Sequence, residues 1–467
     1  MPTRSTQSDP GGRRTALLVA SAGYFFVLLD VTIVNVALAR IGGDLGAPRA
    51  EIQWVVDAYA VVLAACMLTA GDLVDLLGSR RLFLAGLGVF GLGSAACALA
   101  PGPGSLIAAR AVQGLGAAAI LPTSLAIVNQ LFPGDGERPR AIGVWAGVGG
   151  SALVLGPILG GLLIDPFGWR AIFWINVPLA LISLGLAFAF IPAGQGTRTR
   201  LPDVAGQLLG TGALLALVFA LIDGGSGGFG SPVVVIAGAS ALALGVAFAI
   251  VELNSPRPML DLRWFKRAEF SGANLGAALM NLGTLGALFA ISLHLQDGEG
   301  LSPLQTGLNL IPLAAPLALL TPLTGRLAAV VGPRRPAGWG LLCCGCGYLG
   351  IAADPSRITA PAGWALLALA GVGMAVAVPG LVAGATEALG AERAGIAAAV
   401  NNTSRQIGGA IGVALIGGFA SISTSLAASG VALVVGGSAA LAAMAGGARP
   451  IPRRAPRPRR CPDARPR

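Results

Sequence analysis

The chain is dominated by apolar runs of about 20 residues, the length an α-helix needs to cross the hydrocarbon core of a bilayer. Fourteen of them follow one another, at 15–39, 54–77, 82–100, 105–131, 141–164, 171–191, 204–222, 232–253, 270–295, 303–331, 337–353, 361–386, 395–420 and 424–445. In soluble domains about a quarter of the residues are charged; here 55% are hydrophobic and only 11% charged. Glycine supplies 70 of the 467 residues, about twice its usual share, which suits helices that approach one another in lipid through small side chains. The expected fold class is an all-α polytopic membrane protein with 14 transmembrane helices.

Basic residues orient the runs. With the amino terminus cytoplasmic, the inner loops hold Arg80, Arg81, Arg138, Arg140, Arg198, Arg200, Arg257, Arg263, Lys266, Arg267, Arg334, Arg335 and Arg393, and the outer loops only Arg40, Arg49, Arg170 and Arg357. The positive-inside rule then puts both termini in the cytoplasm and the protein in the cell (inner or plasma) membrane. The net charge of +10 raises nucleic acid as a partner, but eight arginines lie in the tail from Arg449 to Arg467, and no nucleic-acid-binding motif accompanies them. That Pro/Arg-rich tail is expected to be disordered and membrane-facing. At the other end, Arg13-Arg14 and the apolar residues after them have the outline of a secretory signal. The run is longer than a signal core and carries Asp30 and Asn35, so it reads as a retained first helix.

The string GDLVDLLGSRR, Gly71 to Arg81, returns as GRLAAVVGPRR, Gly325 to Arg335, with Gly, Leu, Gly, Arg and Arg in register. The copies follow the second and tenth runs. Two six-helix halves would separate them by six helices, so the surplus of two reads as an inserted pair between parallel repeats. The chain divides accordingly into a cytoplasmic tail (1–14), a six-helix bundle (15–191), the inserted pair with its preceding linker (192–253), a cytoplasmic linker (254–269), a second six-helix bundle (270–445) and the Arg/Pro-rich tail (446–467).

Charges inside the runs are the candidate functional residues. Asp30 lies well within the first, where a carboxylate costs roughly 2.5–3.5 kcal/mol on insertion scales; it must pair, face a cavity or be protonated, and it serves either a proton-carrying or a structural purpose. Asp57 is either a second carboxylate facing a cavity or an interfacial residue. Arg110, with Gln113 one turn later on the same face, requires a carboxylate or carbonyl partner. Asn401, Arg405 and Gln406 hold a comparable place in the thirteenth run as a second-half polar network. In the fifth run, Gly143, Gly147, Ser151, Gly156 and Gly160 allow close helix contact, and Pro157, followed by Gly161 four residues on, removes a backbone hydrogen bond and favours a bend. In the first repeated loop, Gly78 permits a tight turn, Arg80 and Arg81 hold the inner interface, and Asp75 can pair with a cation or a helix amino terminus. Phe25, Phe26, Trp145 and Trp174 serve packing more readily than a drug pocket.

These residues lie in motifs whose order resembles the major facilitator superfamily, and within it the fourteen-helix drug:proton antiporters of the EmrB/QacA type. LDVTIVNVAL (29 to 38), GDLVDLLGSRR, RAVQGLGAA (110 to 118), GPILGG (156 to 161), WRAIFWINVP (169 to 178) and NNTSRQIGGAIG (401 to 412) carry the resemblance, which covers nearly the whole chain except the tail. It implies proton coupling through Asp30 and Arg110, an exporter's mark at GPILGG, and a conformational clamp at Gly71 to Arg81. The second loop has Ala329 in place of Asp75 and Ala152 stands where the family pattern usually has Gly, so the second loop is expected to anchor and turn without the carboxylate's switch.

The function implied is proton-coupled export of hydrophobic or amphiphilic drugs or secondary metabolites. Protons, a drug-like small molecule and the lipid bilayer are the partners, the protein acts as a monomer, and the proton gradient replaces any cofactor. The alternatives are a proton-coupled importer of a small solute and, from another class, a membrane-embedded enzyme. The latter is disfavoured because no clustered nucleophile, metal-ligand set or phosphate loop is present. GLGVFG at 86 to 91 fits GxGxxG but lies inside an apolar run with no strand before it. The CxxC within CCGC at 343 to 346 has no His or second pair nearby, and His294 is the sole histidine, so no metal site is expected.

Overall fold

A computed structural model describes residues 10–132, 137–192, 203–256, 258–390 and 393–445. Arg198, Arg200, Arg257, the carboxy-terminal tail and the side chain of Asp75 lie outside the described residues. All regular structure among the described residues is helical: α1 (Pro10–Leu45), α2 (Arg49–Leu77), α3 (Ser79–Ala98), α4 (Pro103–Leu131), α5 (Arg138–Phe167), α6 (Ala171–Trp174), α7 (Asn176–Phe190), α8 (Val204–Gly227), α9 (Pro232–Asn254), α10 (Ala268–Leu293), α11 (Pro303–Val331), α12 (Arg334–Ala353), α13 (Pro361–Leu389), α14 (Ala394–Ile416) and α15 (Ile422–Ala443).

Thirteen of these helical segments, with α6 and α7 taken together, are long and apolar enough to cross a membrane. The exception among the long helices is α14, 23 residues that include Asn401, Asn402, Arg405 and Gln406. The chain is thus a multi-pass membrane protein. Local chemistry sets the helix starts: proline opens α4, α9, α11 and α13, where its missing N–H goes unneeded. Ser302 and Gln305 form a reciprocal capping box at α11. The sixth run is broken into α6 and α7 at Ile175, and α10 runs on into a wider turn over His294–Gly298, closed by Glu299 N–H donating to the His294 carbonyl.

The helix pairings recur. In the first part of the chain α1 packs on α5, α2 and α3 on α4, and α3 on α7; in the later part α10 packs on α14, α11 and α12 on α13, and α12 on α15. A Gly-x-Gly does the same work in each set. Gly114 lies against the Tyr59 carbonyl of α2 and Gly116 against Gly86 and Phe90 of α3, while Gly371 lies against the Leu313 carbonyl of α11 and Gly373 against Gly340 and Cys344 of α12. Any side chain there would strike backbone, so glycine sets how closely the helices meet.

The repeated loops are alike in conformation. Gly78 has φ +86° and ψ 146°, and Gly332 φ +82° and ψ 160°, a region open essentially to glycine alone. Beyond each turn the first arginine reaches the last helix of its set: Arg80 donates to the Phe188 carbonyl and Arg334 to that of Leu441 at 2.7 Å. The second loop anchors and turns as the sequence predicts. Two apolar cores, one of residues between Ala16 and Ile191 and one between Phe270 and Met444, reflect the same duplication, while α8 lies on both α2 and α14 through Val61, Ala64, Val218 and Ala410.

Between the two sets, contact is tight at the end that carries the α1–α2 turn. The Pro157 carbonyl of α5 meets Gly307 of α11, and Gly161 meets Leu304. Gln53 Nε2 donates to the Val413 carbonyl (3.0 Å), and Gln296 Nε2 to that of Val36 (2.9 Å). Toward the opposite end of α5, the backbones of Gly143, Gly147 and Gly150 border open space.

Candidate functional site

Asp30 and Arg110, 80 positions apart, meet as a fully buried ion pair. The partner that physical chemistry requires of each is the other. Around them the remaining valences are filled. Arg110 Nε donates to the Val55 carbonyl at 2.9 Å and its Nη1 to Gln113 Oε1 at 2.7 Å, and its guanidinium lies 4.2 Å from the centre of the Tyr59 ring. Asp30 Oδ1 accepts from Gln113 Nε2 at 2.7 Å and from Asn176 Nδ2 at 3.4 Å. Ser94 Oγ accepts from Gln113 (3.2 Å) and Asn176 (3.1 Å) and donates to the Phe173 carbonyl (3.0 Å). Charge-assisted bonds of this kind are what make a buried ion pair tolerable in a medium of low dielectric constant.

Sequence reasoning found Asp30, Arg110 and Gln113 and missed Ser94, Asn176 and Tyr59. Asn176 stands in WRAIFWINVP, where an amide among apolar residues was the available signal. Ser94 offered none, since serines are common in membrane helices.

Asp57 is fully buried, and neither carboxylate oxygen has a hydrogen-bond partner. It shares a helix face with Gln53, Val61 and Ala64, the face covered by α8 and α14, and is not part of the Asp30 network. GPILGG is divided between two neighbours. Gly156 and Gly160 press on Thr32 and Ile33 of α1, whereas Pro157 and Gly161 press on α11. Thr32 Oγ1 also donates to the Ala152 carbonyl at 3.2 Å, so α5 is held directly beside Asp30's own helix. In the first repeated loop Gly71 borders open space and Arg81 is exposed. In α14, Asn401 Nδ2 donates to the Ala273 carbonyl and to Asn274 Oδ1 (3.3 and 3.4 Å), Gln406 is half-buried, and Arg405 keeps a buried Nε without an acceptor. The second-half residues therefore do not form a closed network like that of Asp30.

Phe26 is buried in the first core and Phe25 packs on it, in keeping with a packing role. Trp145 is different: it stacks on Tyr24 with ring centres 4.1 Å apart. Trp174 is exposed on the helix surface. His294 lines a cleft of about 510 Å³ at the tight end together with Arg49 and Asp297. Its Nε2 lies 3.6 Å from Glu299, and no cluster of metal-ligating side chains occurs among the described residues.

Comparison with known proteins agrees with this architecture. The chain is 37% identical over 401 residues to the multidrug resistance protein Stp of Mycobacterium tuberculosis, covering 86% of this chain and 74% of that one. It is 34% identical over 423 residues to the methylenomycin A resistance protein of Streptomyces coelicolor, covering 89% and 88%. Among solved structures, the peptide transporter POT in complex with sulfate superposes with a TM-score of 0.70 at 17% identity over 95% of this chain and 96% of that chain. The human organic anion transporter MFSD10 gives 0.63 at 18% over 93% and 99%; these two matches speak for the fold alone. The Major Facilitator Superfamily model matches residues 20–413, and with the duplicated helix pairings this shows that the chain belongs to that superfamily of membrane transporters.

Proposed function

We propose that the protein is a proton-coupled exporter of hydrophobic or amphiphilic drug-like compounds, of the fourteen-helix EmrB/QacA type. It would lie in the cell membrane with both termini cytoplasmic, α14 serving as the fourteenth span and α8–α9 as a pair inserted between two six-helix bundles. The resistance proteins among its relatives support the export reading. The single observation that carries the coupling is the Asp30–Arg110 pair, a carboxylate whose ionised form is held by three donors inside the membrane.

Protonating Asp30 removes its charge attraction for Arg110 and weakens the polar tie of α1 to α4, where Gln113 still donates to Asp30 Oδ1. Thr32 and Ile33, within one turn of Asp30, are the residues against which Gly156 and Gly160 pack. The neighbouring positions of the same motif make the contact with α11, so a shift of α1 is passed through α5 to the seam between the bundles. In this orientation the tight end is external and the conformation faces inward. Asp57 is proposed as a second protonatable group, and the loop Gly71 to Arg81 as the conformational clamp.

The test is efflux from vesicles loaded with a candidate compound under an imposed pH gradient. Gradient-driven export is expected, and Asp30→Asn should lower its rate by about tenfold or more. Efflux indifferent to the gradient would sink proton coupling, and full activity in Asp30→Asn would remove that residue from it.

A further inference from the structure

Two carboxylates outside the Asp30 network meet at the end opposite the tight seam, where the inserted helices join the linker. Asp203 immediately precedes α8, and Glu252 stands in the last turn of α9. Each spends one oxygen on a backbone N–H. Asp203 Oδ1 accepts from Gly206 at 2.8 Å, and Glu252 Oε2 from Leu260 of the linker at 3.0 Å. The second oxygen of each, Asp203 Oδ2 and Glu252 Oε1, is buried and has no hydrogen-bond partner among the described residues. Both of these bare oxygens converge on Gly206. A Cβ there would lie 2.4 Å from Glu252 Oε1 and 3.1 Å from Asp203 Oδ2, and Glu252 as a whole is only 2% exposed.

Two bare carboxylate oxygens around one point closed to water repel each other, and burial without a partner adds to the cost. Carboxylates in this position answer by keeping one proton between them, and they titrate as a unit. A magnesium ion is the other way to neutralise such a pair, but it keeps several waters, and a space too small for one Cβ does not hold them. The neighbouring charges do not replace the proton. Asp261, beside Leu260, turns its Oδ1 to the Arg263 N–H at 3.0 Å, and Arg263 Nη2 donates to the Leu253 carbonyl at 3.3 Å. Asp72, on the adjoining α2, has interactions of its own. Neither Asp203 nor Glu252 takes part in a salt bridge among the described residues.

The pair stands directly behind a junction with the first bundle. Thr69 Oγ1 of α2 donates to Gln207 Oε1, next in sequence to Gly206, and lies 3.4 Å from Sδ of Met259, next to Leu260. Gln207 Nε2 is held by Thr211 Oγ1 at 2.8 Å. Thr69 is two residues ahead of Gly71, where the first repeated loop begins. We propose that Asp203 and Glu252 bind one proton between them and act as a proton-sensitive latch on the end of α2 that leads into this loop. With the proton bound, α8, α9 and the linker close on Thr69. When it leaves, like-charge repulsion parts Asp203 from Glu252 and loosens the hold of Gln207 and Met259. This proton site is separate from Asp30 and Asp57, and it stands whether or not the chain exports drugs.

The test is the pH dependence of the thermal midpoint of purified full-length protein in detergent, for wild type, Glu252→Gln, Asp203→Asn and Arg257→Gln. Unfolded carboxylates titrate at about pH 4, so at higher pH the folded pair keeps a proton that the unfolded chain has released. Wild-type stability is therefore expected to fall as pH rises above about 5, by at most about tenfold in the folding equilibrium per pH unit for one proton. Glu252→Gln and Asp203→Asn need no shared proton, and each should flatten this part of the profile; Asp30 and Asp57 are present throughout and cancel in the comparison. Arg257→Gln should leave the profile as it is in wild type. A flat wild-type profile, or one equally steep in both carboxamide variants, would overturn the proposal. A wild-type profile that steepens only when Arg257 is replaced would make that arginine the neutralising partner instead, and a midpoint raised by magnesium in wild type but in neither carboxamide variant would put a cation there; either result defeats the shared proton.

Discussion

Arg110 shows how completely a membrane interior dictates the company of a charge. Its guanidinium is satisfied by a carboxylate, a carbonyl, an amide and an aromatic face drawn from three helices. Removing one partner of such a pair leaves an uncompensated buried charge, a cost of about 3–5 kcal/mol. Arg110→Leu and Asp30→Leu should each lower the thermal midpoint in detergent strongly, and the double variant should lose much less than their sum, a coupling that a double-mutant cycle measures. Additive losses would mean that the two side chains do not act as a pair. The need for a partner at Arg110 was legible from the sequence, because an unpaired guanidinium is too costly among apolar residues. Which residue answered it was not, since Asp30, Ser94 and Asn176 lie on different helices and reach Arg110 and Gln113 only after those helices have packed.

At the scale of elements, small residues decide which helices touch. Gly307 of α11 faces the Pro157 carbonyl, and backbone cannot be moved aside by a rotamer change. Gly307→Val is expected to destabilise the protein by about 1–3 kcal/mol through overpacking. Gly143→Ala, on the same helix as Pro157 but beside open space, should stabilise by about 0.5–1 kcal/mol, the ordinary gain of alanine over glycine in a helix. Thermal unfolding of the two variants checks the contrast, and similar midpoints would show that α5 and α11 are not in the contact described. The fifth run's small-residue spacing revealed a close contact at Gly156 and Gly160 but not at Gly143 and Gly147, which border open space. It did not reveal that alternate positions of GPILGG serve two different neighbours, because the four-residue spacing describes a face without naming what lies against it.

For the whole molecule, the duplicated pairings and the tight seam at one end fit the inward-facing conformation of the proposed exporter. Single cysteines in an otherwise cysteine-free protein report it: Gly147→Cys should react readily with a membrane-impermeant thiol reagent offered from the cytoplasmic side, and Val36→Cys, fully buried where Gln296 reaches across the seam, should not react from either side. Rapid labelling of position 36 from outside would reverse the assignment of the closed end. What the sequence determined by itself was the succession of membrane-length apolar helices, because a bilayer demands about 20 apolar residues for each crossing whatever the neighbours are. The repeated loop likewise disclosed the duplication, since its glycine turn and basic anchor are local devices. The tertiary structure alone decided the rotation of each helix about its axis, and with it the meeting of Asp30 with Arg110, the burial of Asp57 on the face of α2 covered by α8 and α14, and the stacking of Tyr24 on Trp145. Lipid is as apolar as the protein core, so a membrane helix carries little amphipathic signal to say which side faces inward. Close packing of small residues and the pairing of scarce polar groups settle that, and both exist only when the helices are together.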